Sequence, residues 1–149
     1  ENSTRTPTVG GEDVSKMIEC LSFSTGIDSP RAPGGYHQAG RHVCLPVEFT
    51  FRGEGATLPL LIKGAQNNEQ LAGTFTFFRN NIVEGVTEQH STIQLIDGRI
   101  CNVRFECPSV LDAESAALPM LIHVTCVYHT IVFENVEGKA HQVSWGENA

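Results

Sequence analysis

MLIHVTCVYHTIVFENV, residues 120–136, decides the fold of this chain. The run holds no Gly and no Pro, and it is dense in β-branched and aromatic residues, which suit a pleated, packed surface. It reads as one long central strand, bent along its length and apolar enough to need cover on both sides. The face with Met120, Ile122, Val124, Cys126 and Val132 is expected to be core. The face with His123, Val127, His129, Ile131 and Phe133 is expected to be a second covered face or an interface.

The same run has the look of a ligand set, because His123, Cys126 and His129 are spaced by three and three. On a helix, residues three apart are neighbours. On a strand, successive side chains alternate between faces, so Cys126 points away from both histidines. The histidines then stand about 20 Å apart at ~3.3 Å per residue. Zinc needs its ligands within roughly 2.0–2.3 Å of one point. The strand reading therefore removes the metal site, and the histidines become sheet residues that bond a neighbour or face water.

Working outward, Glu137-Gly138 is a turn and KAHQVSWG (139–146) a last strand, on which His141, Val143 and Trp145 alternate. Upstream, PSVLDAESAALP (108–119) is a connection with room for one helical turn. STIQLI and RICNVRFEC flank Asp97-Gly98, and "DG" between two alternating runs predicts a hairpin. On the second arm Cys101, Val103, Phe105 and Cys107 share a face, opposite Asn102, Arg104 and Glu106. LAGTFTFFR puts Leu71, Gly73, Phe75 and Phe77 on one face, with a turn at Asn80-Asn81 and IVEGVTEQ as its partner strand. ATLPLLIKG (56–64) is read as a strand containing Pro59. In RHVCLPVEFTF (41–51) Val43, Leu45, Val47, Phe49 and Phe51 alternate with wetter residues, and Pro46 places that strand at a sheet edge.

The first forty residues differ. Residues 1–12 are polar and read as a flexible N-terminal arm. Val14, Met17, Ile18 and Leu21 follow helical spacing after Asp13, which predicts a short helix, with a strand at 18–23 as the rival. Residues 24–40 form a long Pro/Gly loop. Residues 13–149 thus form a single all-β domain of about eight strands at ~8–12-residue spacing. The expected architecture is an antiparallel β-sandwich, jelly-roll or immunoglobulin-like, with one short N-terminal helix.

Composition limits the function classes. Ten basic residues face seventeen acidic ones, a net charge of −7, which argues against nucleic acid as a partner. No apolar run approaches the ~20 residues of a membrane span. Five cysteines, Cys20, Cys44, Cys101, Cys107 and Cys126, are too few and too dispersed for a disulfide scaffold, and most of them read as small buried hydrophobes. G-x-S-x-G, H-E-x-x-H, C-x-x-C and H-x-H are absent, so no catalytic residue, metal ligand or cofactor is assigned. A Cys44–His42 pair would share a strand face but stand ~6.5 Å apart, beyond proton-transfer reach.

The reading that remains is a non-enzymatic β-sandwich that makes protein contacts, by self-association or with another protein. A particle-forming jelly roll, an adhesive module and a scaffold domain are versions of it. The candidate contact residues are Tyr36, His37 and Arg41 in the long loop, His123 and His129 on the central strand, and Trp145. A glycan- or small-ligand-binding module using Trp145 and Tyr36 is the alternative, and a metal-dependent enzyme with a dispersed histidine site is the third.

Overall fold

The computed structural model describes residues 8–9, 12–13, 17–53, 57–114 and 120–145. Among the described residues, ten strands and a helix succeed one another. They are β1 (Thr8–Val9), β2 (Glu12–Asp13), β3 (Cys20–Ser24), β4 (Ile27–Asp28), β5 (Val43–Cys44), β6 (Val47–Arg52), α1 (Thr57–Gln66), β7 (Leu71–Asn81), β8 (Val86–Glu106), β9 (Leu121–Asn135) and β10 (Ala140–Ser144). The main sheet has the order β3-β6-β9-β8-β7, and β10 adds to β9. All its pairings are antiparallel. β1 pairs with β2, and β4 with β5, as separate two-stranded ribbons. Of the predicted arm, Thr8, Val9 and Glu12 belong to the first ribbon; the rest lies outside the described residues.

The antiparallel, mostly-β class is as expected, but the sandwich is replaced by one sheet curled into a half-barrel. Its two ends meet through aromatic rings. Phe23 on β3 lies 4.7 Å from Phe75 and 5.2 Å from Phe77 on β7, centroid to centroid. Phe49 on β6 closes the cluster at 5.1 Å from Phe75. Long strands accumulate right-handed twist, and bulges increase it, so one sheet can wrap its own core.

β9 is central, as its composition requires, pairing with β6 and β8 and then with β8 and β10. Ile122, Val124, Cys126 and Tyr128 are buried on one face. Higher up, Ile131 is wholly buried, whereas Val132, expected in the core, is only half-buried and Met120 is exposed. The inward face has changed parity along the strand.

β8 exchanges its faces too, where bulges insert extra residues. Ile100 pairs with Cys126 but Asn102 pairs with Thr125, so an extra residue, Cys101, is inserted. Against β7, Leu71 pairs with Gly98 and Gly73 with Leu95, so another extra residue lies at the predicted turn. Each insertion exchanges the two faces of the strand beyond it. The inward residues of β8 are therefore Val103, then Ile100 and Gly98, then Leu95 and Ile93. Asp97 does adopt the positive φ (53°) that "DG" signals, but as a bulge inside an unbroken strand rather than a hairpin. Gly98 permits close approach: a Cβ there would stand 3.0 Å from the Leu71 carbonyl oxygen.

Other expectations change for identifiable reasons. The N-terminal helix is not formed: residues 14–16 lie outside the described set, and Cys20–Ser24 is a strand paired with β6. Met17, Ile18 and Leu21 are exposed, so their helical spacing buries nothing. The helix stands instead at Thr57–Gln66, where a strand was expected. Pro59 falls in its first turn, where a missing N–H costs nothing. Leu58, Leu61 and Ala65 lie along its core-facing stripe. Asn68, at φ 50°, ends it in the left-handed conformation.

Two strand boundaries also shift. Residues 41–51 break at Leu45-Pro46, so Cys44 is buried while Val43 and Leu45 are exposed. Pro46 sits between β5 and β6, and β6 is an interior strand, not an edge. The β7–β8 turn occupies residues 82–85, which removes Ile82 and Val83 from the expected partner strand.

A polar face centred on His123

Below the bulges, four strands present matched rows. Phe23, Phe49, Val124 and Val103 align across β3, β6, β9 and β8 and face the core. The next residue on each strand faces the other way. Ser22, Thr50, His123 and Arg104 form one polar row, and Ser24, Glu48, Thr125 and Asn102 form another. These rows line an open hollow of about 340 Å³.

His123 is the hub of this face. Its Nδ1 lies 3.0 Å from Thr50 Oγ1, and its Nε2 lies 2.9 Å from Glu106 Oε2. In the neutral ring, Nε2–H donates to the Glu106 carboxylate and Nδ1 accepts from the Thr50 hydroxyl. Arg104 approaches the same carboxylate oxygen at 3.7 Å. One imidazole thus ties three strands together in a water-accessible setting, where such ion pairs contribute under about 1 kcal/mol.

A hydroxyl, an imidazole and a carboxylate in line have the connectivity of a hydrolytic triad. Thr50 and His123, however, lie on strands paired on both sides. Their backbone N–H groups serve the ladders and do not converge as an oxyanion hole. The arrangement is a cross-strand tie.

The other candidate residues lie elsewhere, and none of them lines the hollow. Tyr36 is 82% exposed and stacks on His37 at 4.5 Å. Their loop folds back on itself through an Arg31–Gln38 bridge and an Ala32 N–H bond to the His37 carbonyl. Arg41 is exposed at the end of that loop. His129 is exposed and bonds Thr130 Oγ1 at 2.9 Å through Nδ1. Trp145 meets Tyr128 edge-on at 5.1 Å and packs against the core. Among the described residues, no three of His, Cys, Asp or Glu cluster as metal ligands.

The described thiols are all free, and against expectation only Cys44 and Cys126 are buried, whereas Cys20, Cys101 and Cys107 are exposed. Burial, reinforced by the nearby Cys101 thiol, pushes Cys126 up to about 12. Partial burial also raises Cys20 above its ordinary value. Tyr128, buried beside Cys44, is raised as well, and its hydroxyl donates to the Leu45 carbonyl at 3.2 Å. Cys126, held protonated inside the core, is a packing group and not a nucleophile.

The sequence pointed to His123 and missed its partners. Glu48, Thr50, Asn102, Arg104 and Glu106 were legible as outward residues of their strands. Only the register, which local patterning does not encode, puts them around one histidine.

Known proteins share this architecture. The family model described as "Type VI secretion system effector, Hcp" matches residues 9–135. No curated protein matches. Among solved structures, one described as an Hcp protein is similar with a TM-score of 0.75 and 24% identity, over 86% of this chain and 77% of that one. The Hcp1 protein from E. coli EAEC 042 is similar at 0.72 and 17%, over 92% and 89%. The secreted protein Hcp3 from Pseudomonas aeruginosa is similar at 0.66 and 21%, over 86% and 74%. At these identities the structures share the fold. The family match, spanning most of the chain, settles membership: this chain belongs to the Hcp family.

Proposed function

We propose that this member of the Hcp family is a non-enzymatic assembly subunit of a type VI secretion system, in which copies close into hexameric rings and rings build tubes. The observation that carries the reading is the family match over residues 9–135, which takes in the main sheet up to the end of β9.

Surface chemistry supports it. A closed ring is built from heterologous contacts, so each copy needs two different complementary patches. Apolar side chains lie bare on more than one element: Ile27, Val43 and Leu45 around the β4–β5 ribbon, and Leu60 and Ile62 on α1. Exposed apolar groups gathered in this way suit contact surfaces. Tyr36, stacked on His37, and Arg41 at the end of the same loop offer aromatic and cationic contacts of the kind that anchor interfaces. The His123 face, polar in both rows, suits continued contact with water in the assembly.

Native mass measurement tests the reading. The expected result is a species of six chains that grows at the expense of the monomer as concentration rises. A monomer at every concentration overturns it.

A further inference from the structure

The tie at His123 uses one row of the polar hollow and leaves the next row unused. Thr50, His123 and Arg104 are joined through Glu106. In the neighbouring row Ser24, Glu48, Thr125 and Asn102 stand on four adjacent strands, about 4.8 Å from one to the next. Among the described residues, none of these four side chains holds a hydrogen bond or ion pair, and neither does Ser22. Polar neighbours across a wet sheet face ordinarily bond one another. Here one row does so and the other is free, and both line the same hollow.

The free row is held in place by the backbone. β6 and β9 are each paired on both sides, so Glu48 and Thr125 spring from fixed positions. At the β8 end the bulge residue Cys101 precedes Asn102, and its Sγ donates to the Thr125 carbonyl at 3.3 Å. A bulge bends its strand and re-aims the side chains beside it. The hollow, at about 340 Å³, is within the ~300–1,000 Å³ of small-molecule sites. Supports already fixed by the fold lower the ordering cost of binding a ligand.

Charge selects the ligand. Glu48 would draw a cation, but Arg104 lines the same hollow. Arg104 would draw an anion, but Glu48 lines the hollow too, and Glu106 already lies 3.7 Å from the guanidinium. A neutral ligand whose oxygens both donate and accept escapes both conflicts. The Glu48 carboxylate accepts, the Asn102 amide does both, and the hydroxyls of Ser22, Ser24 and Thr125 turn to suit. A sugar ring satisfies that inventory. We propose that the hollow across β3, β6, β9 and β8 binds a neutral saccharide, with Glu48 and Asn102 taking its hydroxyls and the His123 tie forming the fixed wall beside them. The inference goes beyond the assembly reading and does not need the ring.

The test uses the full chain and saturation-transfer difference NMR, with methyl glucoside, methyl galactoside, methyl mannoside and N-acetylglucosamine as neutral probes. At least one should show transfer to its ring protons, with an affinity of about 1 mM, as suits a ligand of this size in an open site. In the double variant Glu48→Ala with Asn102→Ala, binding should weaken about tenfold, since both sets of hydrogen bonds are lost. The melting temperature should hold, because both side chains are exposed and unpaired among the described residues. Glu84→Ala, on the β7–β8 turn outside the hollow, should bind as the wild type does. No transfer to any of the four sugars overturns the proposal, and so does undiminished binding by the double variant. Acetate, ethanolamine and glycine serve as anion, cation and zwitterion competitors. Displacement of the sugar by any of them at lower concentration makes this a site for charged ligands and overturns the saccharide assignment. A chain that binds the sugar but stays monomeric leaves this inference standing and removes only the ring reading.

Discussion

The two faces of the four-strand patch around His123 are one residue apart in sequence and opposite in environment. Val124, on the row with Phe23, Phe49 and Val103, is wholly buried. His123, its neighbour, is on the row with Ser22, Thr50 and Arg104 and opens onto the hollow. The backbone treats both rows alike, with the same strands and the same ladders. The difference lies in what covers each row, and stability should track the cover rather than the hydrogen bonds on view.

The sharpest way to break this comparison is Ile122→Ala on the covered face. Ile122 is wholly buried, so its truncation should cost about 2–5 kcal/mol in urea unfolding. A loss below 1 kcal/mol would mean that the covered face is not packed as described.

Gly98→Val should rank second. The new Cβ would press on the Leu71 carbonyl oxygen, backbone that cannot turn aside. A destabilisation of about 1–3 kcal/mol is expected, read by chemical denaturation. A neutral result would place the bulge elsewhere.

Alkaline titration sharpens the contrast on the covered side. The Cys126 thiol is raised from 9.0 to about 12 in the folded chain. Below pH 9 both folded and unfolded states keep the proton, so the full stability is present. As pH rises from 9 towards 12 the unfolded state loses its proton first, and stability falls. The Cys126→Ala variant should show a shallower decline between pH 9 and 11 than the wild type. Equal slopes would remove Cys126 as the source.

His123→Ala should have the smallest effect, under about 1 kcal/mol, because its partners are open to water. A loss comparable to that of Ile122→Ala would show that the polar face is covered after all.

Much of this was legible in the sequence. The strand at 121–135, the turn at Glu137-Gly138, the last strand and the inward face of β7 arise from patterns a few residues long. The helix at Thr57–Gln66 was misread as a strand containing Pro59, because Pro59 was not taken as a first-turn helix residue. "DG" was read as a hairpin and so as the end of a strand, whereas Asp97 takes its positive φ inside an unbroken one. The polar site was half-legible: His123 stood out, but Thr50 and Glu106 lie 73 and 17 residues away along the chain.

By itself the sequence determined an antiparallel, mostly-β chain built around 121–135, because β-branching, Gly/Pro punctuation and period-two alternation act locally. Only the tertiary structure decided which side of each strand faces inward. Alternation names two faces without saying which is covered, and each residue inserted at Cys101 or Asp97 exchanges them. Whether a bulge forms depends on the partner strands, and so does the company that His123 keeps.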